Sequence, residues 1–419
     1  MRFLYSTFIF GYGLFLRVAA MFNTKAGKWV EGRRGLFADL EKALKPIDRQ
    51  KTPLIWFHVS SLGEFEQGRP VIEAFRKYWP EKKILLTFFS PSGFEVRKNY
   101  EQADFVFYLP LDTLRNSRKF MEIVQPEMVF FVKYDFWFNF LKTIHDNRVP
   151  LYFISALFRK SQHFFRWYGA WFLRHLRYVN HFFVQTRESE DLLRSAGIFT
   201  VTVTGDTRFD RVFAIAAQSK PIPLIEKFCA GKPVFIAGSS WEPDETIFFP
   251  LISHKELNLK YIIAPHDTSR ERIRDICERL PHPVVCYSEL NDDNVSLADY
   301  LIIDSVGILS QLYRYATIAF IGGGFGGGLH NIQEPVTFGV PVFFGPNYHK
   351  FREARELVSI GGAFSIDSSG NLIKKVMEII ANPKERSRVS VICRNYVEEN
   401  RGATEKIIMY LKNKKPING

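Results

Sequence analysis

Cysteine is scarce in this chain, and the few cysteines lie far apart. The 419 residues include four of them, Cys229, Cys277, Cys286 and Cys393, with no CxxC pair and no Cys/His spacing typical of a zinc site. Four cysteines are too few to staple a chain of this length. The sequence therefore predicts a reducing compartment and no structural zinc.

The N-terminus lacks an apolar run long enough to span a bilayer. Its uncharged run, Phe3 to Leu16, has 14 residues, whereas a spanning helix needs about 20. A cleaved signal peptide has such a run, but here Arg17 follows directly, and four more basic residues come soon after it: Lys25, Lys28, Arg33 and Arg34. The pattern favours an interfacial helix on an anionic cytoplasmic leaflet. A helix buried against the domain remains the alternative.

Acidic residues are missing from the segment 147–187. It holds twelve aromatic residues and seven basic ones, namely Arg148, Arg159, Lys160, Arg166, Arg174, Arg177 and Arg187. Such a surface can bind the phosphates and acyl chains of a lipid, or nucleic acid through phosphate contacts and base stacking. An aromatic core helix with a solvated basic face is equally compatible. No nucleic-acid-binding motif accompanies the segment, so we expect no nucleic-acid partner.

The composition is otherwise that of a folded globular protein, with 46% hydrophobic and 24% charged residues and a net charge of +12. From residue 54, short apolar runs alternate with longer amphipathic stretches. The first series reads LIWFHVSS, ILLTFFS, FVFYLP, EMVFFVKYD, LYFISAL, HFFVQT and TVTVTGD. The second reads PVFIAGSS, YIIAPH, PVVCYS, DYLIIDS, TIAFIGGG and VPVFFGP. The sequence therefore predicts an α/β protein with two doubly wound parallel sheets.

Three segments follow from this organisation. We predict an interfacial N-terminal segment over 1–35, a first Rossmann-like domain over 36–207, and a second over 208–419 whose terminal helix crosses back. The proline-containing stretch KPIPLIEKF, starting at Lys220, suits a linker or a domain entry. Ligands of such sheets bind outside the carboxyl ends of the strands, so we expect a site in a cleft between two facing domains.

The densest motif is a glycine-rich turn in the second series. Six glycines fall within Gly322–Gly328, and the helix predicted from His330 contains Asn331 and Glu334. Bare backbone N–H groups and a helix start favour a phosphate, and the glutamate can accept hydrogen bonds from a ribose diol. A dinucleotide site or a loop without ligand are the alternatives, and the acid expected on a following strand for a dinucleotide is missing.

Two other turns of the second series carry small polar residues. Gly238 and Ser239 follow the first strand of that series and suit a phosphate or a plain helix cap. Backbone groups of Val306, Gly307 and Ile308 follow a later strand and can hold a nucleobase edge, although a helix cap explains this turn as well.

The first series supplies a carboxylate and two hydroxyl-rich loops. Glu64 opens a helix directly after a strand, where it can take a proton from an attacking hydroxyl or serve as an ordinary helix-start acid. Small residues at the ends of the first two strands suit an acceptor loop or an ordinary turn: Ser60, Ser61, Ser90, Ser92 and Gly93.

Together these motifs resemble the Kdo transferases, which are GT-B glycosyltransferases that move 3-deoxy-D-manno-oct-2-ulosonic acid (Kdo) from CMP-Kdo to a lipid A precursor. The resemblance rests on FHVSSLGEFEQGRP, TFFSPSG, AGSSWEPDE, IIAPHDTSRERI, IDSVGILSQLY and GGGFGGGLHNIQEPVTFGVPVFFGP, in the family's order, and on KWVEGRRG near the N-terminus. It implies a GT-B fold and transfer with inversion, without a metal or other cofactor. It also implies a location at the cytoplasmic face of the bacterial inner membrane, peripheral or monotopic.

The resemblance also assigns residues. It places the catalytic base at Glu64 and the CMP-Kdo contacts at Gly238, Ser239, His266, the backbone of Val306, Gly307 and Ile308, Asn331 and Glu334. The sequence departs from the family pattern twice. Lys133 to Asn139 stands where many members have a Glu-Thr-Glu-Leu-Trp-Pro-Asn run, which puts the role of the first acid in doubt. Pro265-His266-Asp267 stands where many have Pro-Arg-His, so the expected arginine is missing or displaced, and His266, Arg270 and Arg272 are the candidates to replace it.

Two other functions remain open from the sequence. One is a GT-B enzyme that uses a UDP-sugar, either a transferase with a lipid acceptor or a sugar epimerase. The other is a non-catalytic membrane-binding protein, which the motifs around Glu64, Asn331 and Glu334 argue against.

Overall fold

The computed structural model describes residues 1–414. The helices are α1 Arg2–Ala19, α2 Thr24–Glu31, α3 Leu36–Leu44, α4 Leu62–Tyr78, α5 Pro91–Arg97, α6 Leu114–Val124, α7 Phe138–Asp146, α8 Ala170–Leu176, α9 Arg187–Ser195, α10 Arg208–Gln218, α11 Pro223–Cys229, α12 Glu242–Phe248, α13 Arg270–Arg279, α14 Leu309–Leu312, α15 Gln333–Thr337, α16 Arg352–Ile360, α17 Ser369–Ala381, α18 Pro383–Asn400 and α19 Ala403–Asn413. Short 3₁₀ helices cover His163–Phe165, Phe249–Ser253, Lys255–Leu257, Tyr287–Glu289 and Tyr313–Tyr315.

The strands are β1 Leu54–Val59, β2 Lys83–Phe88, β3 Phe105–Tyr108, β4 Met128–Val132, β5 Leu151–Ala156, β6 His181–Val184, β7 Val201–Val203, β8 Val234–Ser240, β9 Lys260–Pro265, β10 Val284–Cys286, β11 Tyr300–Ile302, β12 Ile318–Ile321, β13 Val342–Phe344 and β14 Ala363–Ser365. The chain divides into two compact units. Unit 1 is Met1–Asp210 together with the segment from Gly402, and unit 2 is Arg211–Arg401.

Unit 1 contains a parallel sheet of seven strands in the order β3-β2-β1-β4-β5-β6-β7. Every residue of β1 and of β5 is buried, which is why these runs are apolar without alternation. Trp56 faces one core with Phe131 and Phe153, whereas Phe57 faces the other with Phe130. The sheet is therefore covered on both sides, as the apolar runs predicted.

The last helix, α19, completes one of these two cores. Ile407, Ile408 and Leu411 are buried against the β1 and β4 side chains that face α4. The backbone N–H groups of Gly402 and Thr404 both donate to the carboxylate of Asp210, which holds the start of the helix. Residues nearly 200 positions after the first sheet are thus part of its hydrophobic core.

The N-terminal helix α1 packs by one face only. Tyr5 donates a hydrogen bond to Asp112 and contacts the rings of Phe138 and Trp171, and Ile9 is buried. The opposite face exposes large apolar side chains, namely Phe3, Leu4, Phe8, Phe10, Leu14, Phe15 and Val18. Among the described residues no single helix is long and apolar enough to cross a membrane. One pair bent by 119°, Phe3–Ala19 with Thr24–Glu31, has the length and composition for it.

Unit 2 contains a second parallel sheet of seven strands, in the order β10-β11-β9-β8-β12-β13-β14. The apolar runs of the second series account for β8 to β13. The edge strand β14 was not among the runs singled out in the sequence, because only one of its three residues, Ala363, is buried. With two doubly wound parallel sheets, the predicted fold class is confirmed.

Candidate active site

A carboxylate lies in the first turn of α4, at the point where the order of the first sheet reverses between β1 and β4. Glu64 accepts a hydrogen bond from Ser61 Oγ, and its Oε1 lies 3.9 Å from Lys133 Nζ. The Glu64 side chain is 13% exposed, so it is reachable but largely enclosed. Switch points of this kind are where α/β sheets bind ligands. A carboxylate held there can accept a proton from a hydroxyl that approaches it.

Lys133, directly after β4, has a backbone conformation that residues other than glycine seldom adopt. Its φ is +68°, in the left-handed region, and its backbone N–H donates to Ile154 O at 2.9 Å. This turn directs the ammonium toward Glu64 and over the ring of Tyr134, 5.0 Å from the ring centroid. The resemblance led us to expect an acid at this position, and the structure instead has a cation beside Glu64.

A buried polar network adjoins Glu64. His58 Nδ1 bonds to Thr87 Oγ1 at 2.9 Å, and His58 Nε2 accepts from Trp137 Nε1 at 3.1 Å, so His58 is neutral with its proton on Nδ1. Burial lowers the pKa of His58 to about 3. Asp135 Oδ2 lies 3.8 Å from His58 Nε2 and has no hydrogen-bond partner.

Asp135 is therefore an unusual carboxyl group. Burial, opposed by hydrogen bonds from Ser60 and reinforced by the Glu64 carboxylate, raises the pKa of Asp135 to about 7. Because an orphaned buried oxygen is costly, its presence beside Glu64 marks a functional region.

The two hydroxyl-rich loops predicted for the acceptor are adjacent. Ser90 N donates to Ser60 O at 2.7 Å, which joins the end of β2 to the end of β1. Ser90 also caps α5 by accepting from Ser92 N, and the two hydroxyls lie 3.0 Å apart. A Cβ on Gly93 would lie 2.4 Å from the Phe88 ring and 3.0 Å from Leu62 N, so only glycine lets these loops approach.

Gly238 and Ser239, which were predicted to follow the first strand of the second series, in the structure lie within β8, near its carboxyl end. A Cβ on Gly238 would lie 1.9 Å from the hydroxyl of Tyr313, and Ser239 has a φ of +54°. Burial, together with the Glu334 carboxylate, raises the pKa of Tyr313 well above its usual value. Gly322 N donates to Gly238 O at 2.9 Å. This bond joins the end of β8 to the glycine-rich turn at the switch point between β8 and β12.

The glycine-rich turn has a fixed half and an open half. Asp244 Oδ2 accepts from Gly323 N at 2.8 Å, and a Cβ on Gly324 would collide with the backbone of Gly345. At Gly326 and Gly327, in contrast, a Cβ would meet nothing within 4 Å. Exposed glycine backbone next to a pinned turn is what a phosphate group needs for close approach.

His266 stands in an aromatic stack that the sequence did not reveal. Its ring lies 4.4 Å from the Trp241 ring and 4.6 Å from the His330 ring, centroid to centroid. Trp241 Nε1 donates to His330 Nε2 at 3.1 Å. Burial, with His266 nearby, lowers the pKa of His330 to about 4.

The candidates for the missing arginine have different surroundings. Arg272 bonds to the fully buried Glu245 and to Asp275, so it is engaged within the fold. Arg270 is exposed, at the start of α13, and no described side chain forms an ion pair with it. His266 and Arg270 therefore remain as the groups able to meet a phosphate.

The two remaining predicted contacts lie on turns of the same sheet. Val306 is 91% exposed and Gly307 has a φ of +100°, directly before the short helix α14. Asn331 Nδ2 donates to Glu334 Oε1 at 3.1 Å, and Asn331 Oδ1 accepts from Gln333 N at 3.0 Å. The helix α15 begins at Gln333, three residues later than the predicted helix start, and no side chain caps it at its N-cap residue, Ile332.

Comparison with known proteins shows which enzymes this chain is similar to. Residues 32–211 match the family model described as 3-deoxy-D-manno-octulosonic-acid transferase (Kdo transferase). A transferase of that name from Haemophilus influenzae is 26% identical over 375 residues, covering 85% of this chain and 86% of the relative. Another from Aquifex aeolicus is 27% identical over 339 residues, covering 79% and 87%. Over most of its length the chain is thus similar to Kdo transferases.

The family is one of glycosyltransferases, and solved structures agree on the fold. A UDP-GlcNAc 2-epimerase from Neisseria meningitidis, 16% identical, superposes with a TM-score of 0.61 over 86% of this chain and all of that one. At this identity the likeness concerns the fold alone, which is GT-B-like with two Rossmann-like units.

Several residues of this Kdo transferase homologue were missed by sequence reasoning. Asp135, Trp241, Asp244 and Tyr313 each lie close to a group more than 60 positions away, namely His58, His330, Gly323 and Gly238, which no local spacing encodes. The acid and tryptophan of WEPDE, directly after AGSS, were the available signal. Within residues 1–414 no group of three or more His, Cys, Asp or Glu side chains is arranged to hold a metal ion.

Proposed function

We propose that this protein transfers Kdo from CMP-Kdo to a lipid A precursor of the lipid IVA type, with inversion, at the cytoplasmic face of the bacterial inner membrane. We base this chiefly on Glu64, a carboxylate at the carboxyl edge of a parallel sheet with a serine hydroxyl and an ammonium beside it. Similarity to Kdo transferases supports both the donor and the class of acceptor.

In the proposed reaction Glu64 accepts the proton of an acceptor hydroxyl. The hydroxyl oxygen then forms a bond to the anomeric carbon of Kdo, and the bond from that carbon to the phosphate oxygen breaks with its electron pair, releasing CMP. Lys133 keeps positive charge beside the Glu64 carboxylate before the proton arrives. A base positioned in this way contributes about 10²- to 10⁴-fold in rate.

We assign the donor to the loops of unit 2. Glu334 would accept hydrogen bonds from the ribose hydroxyls, and the open backbone at Gly326 and Gly327 would receive the phosphate. The exposed turn at Gly307 would hold the base. His266 and Arg270 are the groups we assign to the phosphate charge in place of the family's arginine.

We further propose that α1 keeps the enzyme on the membrane. Its exposed face carries four phenylalanines, and α2, which follows it, contributes Lys25 and Lys28. Trp167 is 95% exposed, and Trp171 of the α8 helix that follows it contacts Tyr5 of α1. Apolar area plus basic residues is the combination that binds anionic leaflets.

The variant Glu64→Gln tests the catalytic role. We expect it to lose at least 10²-fold in Kdo transfer while CMP binding, measured by calorimetry, stays unchanged. Glu66→Gln on the same helix is the matched control, because Glu66 pairs with Arg97. Transfer by Glu64→Gln at the parent rate would refute the assignment.

Calorimetry with CMP and with UDP tests the donor class. We expect CMP to bind more tightly than UDP by at least tenfold. Tighter binding of UDP would support instead a UDP-sugar enzyme of the same fold.

A further inference from the structure

A strongly basic cavity lies in unit 2, at the amino ends of the strands, whereas the glycine-rich turn and the other donor loops lie at their carboxyl ends. Its volume is about 860 Å³. It is bounded by the residues that precede three strands, at Lys232–Pro233, Thr317 and Pro341, and by one face of α18. Gly238 and Gly322 lie at the other end of β8 and β12. Because β8 has seven residues, the cavity is about 20 Å from the donor loops.

The charge lining this cavity is all of one sign. Four cationic side chains line it, from Lys232, Arg314, Arg386 and Arg394, and no carboxylate does. Arg314 donates to the backbone oxygen of Ser219 at 2.7 Å. In the described part of the chain no ion pair engages the other three. Cations gathered without a counter-charge repel one another, and an anion between them removes that cost.

The backbone at Gly339 leaves room for the Arg394 side chain beside the cavity. Gly339 has a φ of +77°, and a Cβ there would lie 2.6 Å from both Arg394 Nε and Ser390 Oγ. Ser387 and Ser390 bring hydroxyl donors to the same face of α18 as the two arginines. Guanidinium groups with neighbouring hydroxyls are the donor set that phosphate oxygens prefer.

We propose that this cavity binds a phosphate-bearing anion, at a site separate from the donor site. The volume is within the range of pockets that hold small ligands. The phosphate has two conceivable sources, a soluble phosphorylated molecule or an anionic lipid headgroup. Both would use the same contacts, and they differ in whether binding requires a bilayer.

The test compares two double variants of α18 in the full-length protein. Arg386→Gln with Arg394→Gln removes two cavity cations. Lys384→Gln with Arg388→Gln removes the same charge from the same helix but outside the cavity, since Arg388 pairs with Glu385. CMP affinity, which is measured in both, reports that unit 2 is folded and that the donor site is intact.

Pyrophosphate is the soluble probe, titrated by calorimetry with CMP saturating, and vesicles of phosphatidylglycerol are the bilayer probe. We expect the cavity variant to lose at least tenfold in pyrophosphate affinity or in vesicle binding, the control variant to keep both, and CMP affinity to be equal in the two. Loss of pyrophosphate binding identifies a soluble ligand, and loss of vesicle binding alone identifies a headgroup. The proposal would be overturned if both variants bound the two probes equally well. It would also be overturned if binding were weak and were lost equally in both variants, which would indicate an adventitious ion only.

Discussion

At the scale of single residues, Asp135 shows what the sequence could not convey. Glu64 could be singled out because its helix-start position follows directly from the strand before it. The surroundings of Asp135 depend on His58 and Trp137, which reach it from β1 and from the turn before α7. Side-chain partners of this kind come from the order of the strands in the sheet, which apolar runs do not determine.

Replacing Asp135 tests its protonation. Its pKa in the folded protein, about 7, lies above the ordinary value near 4. Protonation is therefore favoured by folding, and the stability it contributes at acidic pH is lost as the pH rises through about 7. The variant Asp135→Asn has no such loss, so its melting temperature relative to the parent should be higher at pH 8 than at pH 5. Asp146→Asn, an exposed residue of α7, is the control and should show no difference between the two pH values.

Gly238→Ala tests the close approach of Tyr313. The added Cβ would overlap the tyrosine hydroxyl, and overpacking of this kind costs about 1 to 3 kcal/mol. In Gly238→Ala with Tyr313→Phe the overlapping oxygen is gone, so we expect the loss in unfolding free energy to be smaller than in the single variant. A double variant that is less stable than Gly238→Ala would contradict the proposed packing. Thermal or urea unfolding measures both.

Glu334→Ala tests the ribose contact. Loss of the carboxylate leaves buried hydroxyls unpaired, which costs about 1 to 3 kcal/mol of CMP binding, or about a 5- to 150-fold increase in Kd. Glu271→Ala, an exposed acid of the same unit, is the control. Unchanged CMP affinity in Glu334→Ala would mean that the nucleotide does not bind at Glu334.

At the scale of elements, the sequence predicted strands better than helix starts. Buried parallel strands are apolar throughout, and each of the thirteen runs is a strand. The start of α15 was placed too early because the Asn331 side chain accepts a hydrogen bond from Gln333 N, in a turn that precedes the helix. The helix α1 could not be assigned to a buried or an interfacial position because it packs one face and exposes the other.

The two faces of α1 should respond differently to substitution. Phe8 and Phe15 are both about two-thirds exposed, so Phe8→Ser with Phe15→Ser should keep the melting temperature and reduce flotation with anionic vesicles. Ile9→Ala removes a buried side chain, which costs about 2 to 5 kcal/mol of stability, and should leave flotation intact. If the serine variant floats like the parent protein, α1 is not the membrane contact.

At the scale of the whole molecule, the two parallel sheets were predictable but the order of their strands was not. The alternation of strands with helices specifies parallel pairing, because a crossover helix returns the chain to the end of the sheet at which the previous strand began. The insertion of β11 between β9 and β10 depends on packing between segments. The same holds for α19, whose amphipathic pattern marks a buried face without saying which core receives it.

The dependence of unit 1 on α19 leads to a prediction about the two units. Ile407 is fully buried among side chains of the first sheet, whereas Met409 on the same helix is 54% exposed. An uncompensated carboxylate in a core costs several kcal/mol, so Ile407→Asp should sharply lower the stability of unit 1 in thermal unfolding, and Met409→Asp should not. CMP affinity, which we assign to unit 2, should be the same in both variants because Arg211–Arg401 has a sheet and core of its own. Loss of CMP binding in Ile407→Asp alone would mean that the nucleotide site requires an intact unit 1.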